Sequence, residues 1–391
     1  MTYSNEANLL LDASHVRPSE LVVERMRQKI VDGVNWIEFL QLAIPHGLLP
    51  LAARNLAKYA SDLVPAPTIV QLRMYRTRVE ERNREQVLEL LRIVSMFSSE
   101  GIGAIPFKGP LLACAEYGDL SLRESHDLDL WVHPKDVTSA GDLLRAAGYR
   151  SVAHRGGAPR ILELDRGDLQ TEFVSSNGEV QVEVQGELQP RQYSFLPDFD
   201  EVWGRRLQIE FEGANVSYLS PEDLLLLLSV HGSKHIWRRL NWVADVAALI
   251  DAHPSLDWKL VLVRAKRWRC KRRLLSAVLL AESLYGLELP KDIRDECSRH
   301  PYTRSSVSRI QSKIINGIET RTVGNFISEL HNHVTNADTI ADRLRIALSH
   351  SKKIVRVDEN EMARSMSQST LVLFRAFRGV RVFMGKFVRQ D

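Results

Sequence analysis

The chain has 391 residues, of which 44% are apolar and 26% charged, the make-up of an ordinary folded protein rather than a disordered, collagen-like or membrane one. That length exceeds the ~250 to 300 residues a single core usually supports, so two or three structural units are expected. The net charge of +3, from 52 basic and 49 acidic residues, gives no global argument for binding nucleic acid.

Cys114, Cys270 and Cys297 lie far apart without CxxC spacing, so buried small side chains are expected rather than a zinc or redox site. The N-terminal residues show no basic stretch leading into an apolar run. No uninterrupted apolar segment approaches the roughly 18 residues of a transmembrane helix, and the reading is cytoplasmic.

From Pro18 to Ser99 apolar residues recur at helical spacing, as in Leu21, Val22, Met26 and Ile30, then Trp36, Phe39, Leu40 and Ala43. Breaks are expected at Pro45 to Pro50 and Pro65 to Pro67, followed by a long polar helix through RTRVEERNREQVLELLRIVSMF. Ile102, Ala104, Ile105 and Phe107 then suggest a short buried strand, a turn at Gly109-Pro110, and an apolar helix through Leu111, Leu112, Ala115 and Tyr117. Next, DLDLWV alternates with period two, PKDVTSAGDLLRAAGY reads as a helix opening on proline, and RILELDRG, LQTEFVSS and EVQVEVQGEL read as strands. Ser220-Pro221-Glu222-Asp223 is a helix start ahead of LLLLLSVHGSKH, and the remainder is mainly helical. The expected plan is α+β: a helical region over 1–95, a mixed-sheet core over 96–215, and a helical domain over 216–391.

The chemistry concentrates between Phe107 and Val132. In a strand of period two, Asp127 and Asp129 project from one face while Leu128 and Leu130 point to the other. Two carboxylates that close repel, unless a hard divalent cation such as Mg²⁺ sits between them. Lys108-Gly109, placed between a strand and a helix, offers backbone N–H groups and an ammonium to a phosphate.

Lys108, Gly109, Arg123, Asp127 and Asp129 together resemble the Lys-Gly, Arg, Asp-x-Asp pattern of the uncharacterised bacterial nucleotidyltransferases in the polymerase-beta-like superfamily. WIEFLQLAIPHGLLPLAARNL (36–56) is similar to that family's N-terminal helical region, and LSPEDLLLLLSVHGSKHIWRRLNWVADVAALI (219–250) to the helical segment after its sheet. The resemblance implies a nucleotidyltransferase-fold mixed sheet flanked by helices. It also implies two Mg²⁺ ions, with Mn²⁺ able to substitute, and in-line attack on the α-phosphorus of an NTP with release of pyrophosphate. Asp127 and Asp129 would bridge the metals, and Glu183 is the match to the third acid, holding the catalytic metal and helping to deprotonate the acceptor; Glu172 and Glu187 are alternatives. Gln185 stands where a histidine is common, and Pro110 where a small residue is. Lys108 and Arg123 would neutralise the triphosphate, with Lys234 and His235 lining the cleft.

His231 and His235 have the i, i+4 spacing of a shared metal, but HGSKH lacks the glutamate of HExxH, so packed histidines are expected. Asp245 is expected to cap or to pair with a nearby base. The basic run RAKRWRCKRR (264–273) fits a helix face with Trp268 and Cys270 turned inward, and the RNA reading is the weaker one. The stripe Phe374, Phe377, Val380, Met384 and Phe387 is read as a terminal helix docking on the body rather than on a membrane. The acceptor, whether small molecule, saccharide or peptide, the preferred base and the oligomeric state are left open. A non-catalytic nucleotide- or partner-binding protein and an antitoxin-like transferase modifying a partner protein are the competing readings; retention of both DxD acids and the Lys-Gly turn favours an enzyme.

Overall fold

The computed structural model describes residues 3–152, 170–189, 193–315 and 333–346. The chain begins with α1 (Asn5–Ala13), α2 (Glu20–Val31), α3 (Trp36–Ala43), α4 (Leu49–Tyr59) and α5 (Ala66–Ser99). Ser4, Ser19 and Asn35 accept hydrogen bonds from the opening N–H groups of α1, α2 and α3, the standard remedy for donors that have no partner inside a helix. The two proline-rich breaks separate α3 from α4 and α4 from α5. At 34 residues, α5 is the longest of these helices, roughly 50 Å from end to end.

The sheet follows: β1 (Ala104–Pro106), α6 (Gly109–Leu112), β2 (Asp127–Val132), α7 (Val137–Ala146), β3 (Arg150–Ser151), β4 (Gln170–Val174) and β5 (Gln181–Gln185). α6 runs on into one wide helical turn over Ala113–Tyr117. The strands lie in the order β1-β2-β5-β4-β3, with β2 parallel to β5 and the other neighbours antiparallel. Leu128, Leu130, Val182, Val184 and Phe173 form the buried back of this sheet. There α7 covers them, and Gly141 leaves room for the Phe173 ring, which would lie 3.1 Å from any added Cβ. The opposite face carries the acids.

Two further strands stand beyond those expected from the alternation pattern. After α8 (Phe199–Gly204), β6 (Leu207–Phe211) and β7 (Ala214–Tyr218) form a separate hairpin. Its connection, Glu212-Gly213, has both residues at positive φ (49° and 79°), the geometry that matches the twist of a two-residue hairpin. The segment RILELDRG lies outside the described residues.

The C-terminal helices are α9 (Pro221–Lys234), α10 (Leu240–Ala252), α11 (Trp258–Arg267), α12 (Lys271–Tyr285), α13 (Lys291–Ser298) and α14 (Pro301–Ile315). α9 starts where expected, with Ser220 Oγ accepting from Asp223 N–H at 3.3 Å. The basic run is not one helix face but is divided between α11 and α12, with Trp268 and Cys270 buried at the junction. Most of its charge is neutralised internally: Arg264 pairs with Asp223, Arg267 with Glu201, Arg269 with Asp342, and Lys271 with Glu296. Cys297 is buried as expected, but Cys114 is exposed, because the wide turn after α6 directs it away from the core. The stripe at 374–387 lies outside the described residues, among which no helix is long and apolar enough to cross a membrane.

Candidate active site

Asp129 stands in register with Glu183 across the parallel β2–β5 pair, so both side chains rise on one face, and Asp127 joins them two residues back along β2. One carboxylate oxygen from each of Asp127, Asp129 and Glu183 lies within 4.8 Å of the others. Glu172 is opposite Glu183 on β4, one strand farther from the aspartates. Glu187 lies past the end of β5 and lines a separate cavity of about 320 Å³ with Trp131, His133 and Phe199.

The approach to β2 is clamped by α5. Asn83 Nδ2 donates to the carbonyls of Leu120 and Arg123 at 2.6 and 2.8 Å, Gln86 Nε2 to that of Ser125 at 3.4 Å, and Tyr75 hydroxyl to Glu124 at 2.7 Å. Ser125 hydroxyl then donates to the Asp127 carbonyl at 3.2 Å. Irregular backbone would otherwise leave these buried carbonyls without partners, so α5 both satisfies them and aims Asp127.

Gly109 is left-handed at φ +67° and packs on the same strand: an added Cβ would lie 3.2 Å from the Asp127 carbonyl and 3.3 Å from Ser125 Oγ. Only glycine meets both demands without displacement. Immediately before it, Lys108 reaches into the triad, its Nζ 2.9 Å from Asp129 Oδ2, with the two side chains 13% and 1% exposed. Burial pulls the Lys108 ammonium toward neutrality, but Asp129, Asp127 and Glu183 outweigh it and its pKa is raised. Burial raises the Asp129 carboxyl, against the pull of Lys108. Glu183 is pushed up to about 8 by burial and by the charge of Asp129, with Lys108 and Lys234 acting in the opposite sense.

Gln185, buried two residues beyond Glu183, donates from Nε2 to Asp129 Oδ1 at 3.2 Å. This helps to fix the Asp129 carboxylate plane, with Oδ1 held by Gln185 and Oδ2 facing Lys108 Nζ at 2.9 Å. Three hard oxygen donors on rigid strands, within 4.8 Å of one another, fit a divalent cation. Among the described residues, the triad is the group of acids, histidines or cysteines close enough together to hold one.

The end of α9 forms a wall near the triad. Trp237 folds back so tightly on Gly232 that an added Cβ would be 2.2 Å from its ring, and Ile236 and Trp237 are both left-handed, at φ 55° and 54°. Non-glycine residues adopt that conformation only where the surroundings impose it. The turn brings Lys234 within electrostatic reach of Glu183. His231 and His235 pack edge-on at 4.8 Å and both contact Trp242. Burial holds both imidazoles neutral, His235 down at about 3, with the neighbouring lysines reinforcing the effect.

Arg123, expected to neutralise the triphosphate, has its guanidinium turned to a carboxylate of α10. Its Nε and Nη2 donate to the two oxygens of Asp245 at 2.7 and 2.9 Å, both side chains being buried, and Tyr117 hydroxyl donates to the same carboxylate at 2.7 Å. The guanidinium fork is therefore engaged in tying the loop before β2 to α10. Asp245 does pair with a base, as expected, but the partner is 122 residues away rather than nearby in the chain.

No curated protein gives a significant match to this chain. A solved structure, that of an antigenic nucleotidyltransferase-like protein from Paracoccidioides brasiliensis, is 16% identical, and the match covers 55% of this chain and 97% of that one with a TM-score of 0.27. The family described as "uncharacterised nucleotidyltransferase" matches residues 32–286. That span runs from before α3 to the end of α12 and contains the carboxylate triad, Lys108, the α5 clamp and the α9 turn, and the chain therefore belongs to this nucleotidyltransferase family.

Proposed function

We propose that the protein transfers a nucleoside monophosphate from an NTP to an acceptor hydroxyl or amine, with Asp127, Asp129 and Glu183 as metal ligands. The observation that carries this reading is the convergence of three carboxylates from β2 and β5 beside a buried lysine. Bound Mg²⁺, as two ions in the full reading, would supply Lewis-acid stabilisation of the attacking and leaving oxygens. Gln185 orients the Asp129 carboxylate through Oδ1. Glu183, in register with Asp129 on β5, takes the proton from the acceptor as it attacks the α-phosphorus. Lys108 and Lys234 neutralise the triphosphate, and pyrophosphate leaves with the electrons of the broken P–O bond. His235 contributes a neutral wall to the cleft, and Arg123 supports β2 from outside the reaction.

The test is incubation with each α-labelled NTP, Mg²⁺ and host lysate, followed by identification of whatever becomes labelled. Asp129→Asn keeps volume but loses a metal ligand and is expected to abolish labelling while the far-UV spectrum is unchanged. Full transfer by this variant would exclude the assignment.

A further inference from the structure

Lys108 occupies an unusual position for a phosphate-binding residue. Its ammonium is not turned toward solvent but lies against Asp129 Oδ2 at 2.9 Å, inside the ring of acids. A Mg²⁺ ion bound to that same oxygen at about 2.1 Å would be within about 5 Å of Nζ, two cations held against one carboxylate atom. Their repulsion in a half-buried site is of the order of several RT, so both cannot share Oδ2 in this arrangement.

The lysine is equipped to leave. Its four-carbon stem has freely rotatable bonds and stands next to Gly109, and its Nζ lies 5.3 Å from the Phe107 ring centroid, a contact that does not fix the ammonium on Asp129. By contrast, Asp129 is fixed by its strand and by Gln185, so it is the cation that must move.

We propose that Lys108 is a tethered stand-in for the metal: it neutralises the triad in the empty enzyme, is displaced from Asp129 when a divalent ion binds, and is then free to pair with the triphosphate that arrives with that ion. The inference rests on the nucleotidyltransferase reading and adds to it an order of events. Metal alone binds weakly because it must evict an internal cation; metal with nucleotide binds well because the evicted cation gains a phosphate partner. Nucleotide and metal affinities are therefore coupled through one side chain.

Mn²⁺ binding, followed by electron paramagnetic resonance without turnover, tests this in the full-length protein. Without nucleotide, Lys108→Met should bind Mn²⁺ about ten-fold or more tightly than wild type. Lys108→Arg, which keeps the charge, should remain close to wild type. Addition of an α,β-methylene NTP should tighten Mn²⁺ binding strongly in wild type and much less in Lys108→Met. Equal or weaker Mn²⁺ binding by Lys108→Met, while Asp129→Asn still abolishes binding, would overturn the stand-in role but leave the metal site intact. Absence of Mn²⁺ binding from wild type and all variants would overturn both. Circular dichroism and urea unfolding of each variant separate a lost fold from a lost site, and Lys108→Arg supports or refutes the charge argument even where Lys108→Met is unstable.

Discussion

Removing the carboxylate of Asp245 tests whether Arg123 is a support or a substrate ligand. The Arg123 and Asp245 side chains are 8% and 2% exposed and share two hydrogen bonds at 2.7 and 2.9 Å. Asp245→Ala leaves a buried guanidinium without its counter-charge, which costs about 3–5 kcal/mol. It also strips the Tyr117 hydroxyl of its acceptor, adding about 1–3 kcal/mol if water does not replace it. Arg123→Met leaves the carboxylate uncompensated and should destabilise by a similar amount. Arg123→Met/Asp245→Leu removes both charges for apolar groups; cycled against Arg123→Met and Asp245→Leu, in which the lost Tyr117 bond is common to single and double variants and cancels, the coupling should reach about 3 kcal/mol or more. Urea unfolding gives these energies, and calorimetric titration with MgATP gives the second readout: the double variant should bind nucleotide like wild type. If Arg123→Met instead weakened nucleotide binding ten-fold or more while stability moved by less than about 1 kcal/mol, the guanidinium would be a phosphate ligand and the argument from the buried pair would fail.

Alanine at Glu183 should reduce labelling far more than alanine at Glu172 or Glu187, since only Glu183 closes on Asp127 and Asp129; equal losses at all three would sink the assignment. Lys234→Ala should weaken MgATP or MgCTP affinity by roughly ten- to a hundred-fold, as a charge contact to phosphate contributes about 1.5–3 kcal/mol, and an unchanged isotherm from folded protein would show that the α9 turn does not touch the triphosphate. His46 should impose a pH dependence on stability. Burial lowers its pKa from 6.5 to about 4, and its Nδ1 accepts from Leu240 N–H at 3.3 Å, an interaction that protonation destroys. The unfolded chain therefore binds a proton that the folded one refuses, and stability falls as pH drops from above 6.5 toward 4. Between pH 7 and 5 this single group accounts for about 2 kcal/mol. In urea unfolding, His46→Gln should show that much less loss than wild type, and identical pH slopes would refute the attribution.

The parts of the site that are local in the chain are legible from the amino-acid sequence alone. Alternation in DLDLWV places Asp127 and Asp129 on one face, and the glycine after Lys108 marks a turn whose φ of +67° only glycine takes easily. Glu183 follows from resemblance, but three nearby glutamates have the same chemistry, and strand register is what separates them. The Arg123–Asp245 pair is illegible in principle: nothing in either segment's periodicity specifies a partner on a distant helix, and an arginine near two aspartates reads most simply as a phosphate ligand. Gln185 stands out in the sequence as a departure from pattern, but its role depends on a cross-strand hydrogen bond. The β6–β7 hairpin does carry a signal, since Glu212-Gly213 lies between alternating runs, and the stronger helical pattern that follows masks it. Lys108 reads from sequence as a neighbour of phosphate, whereas its contact with Asp129 arises from how α6 packs on β2.

The clamp that α5 places on the loop before β2 also bears on how this chain can vary. Asn83, Gln86 and Tyr75 grip four stations between Leu120 and Ser125 from fixed positions along one rigid helix, and β1 and β5 hold the strand that follows on both sides. The intervening loop has no slack to absorb a change in length. Inserting or deleting one residue between Ser125 and Leu128 would either break the grip or slide β2 by one place, which turns both aspartates to the back of the sheet and leucines to the front. Exposed positions such as His126 can be substituted in this stretch, but insertions and deletions cannot be accommodated there, and length variation among functional versions of the protein must fall elsewhere, at turns such as Glu212-Gly213 that lie outside the grip of α5.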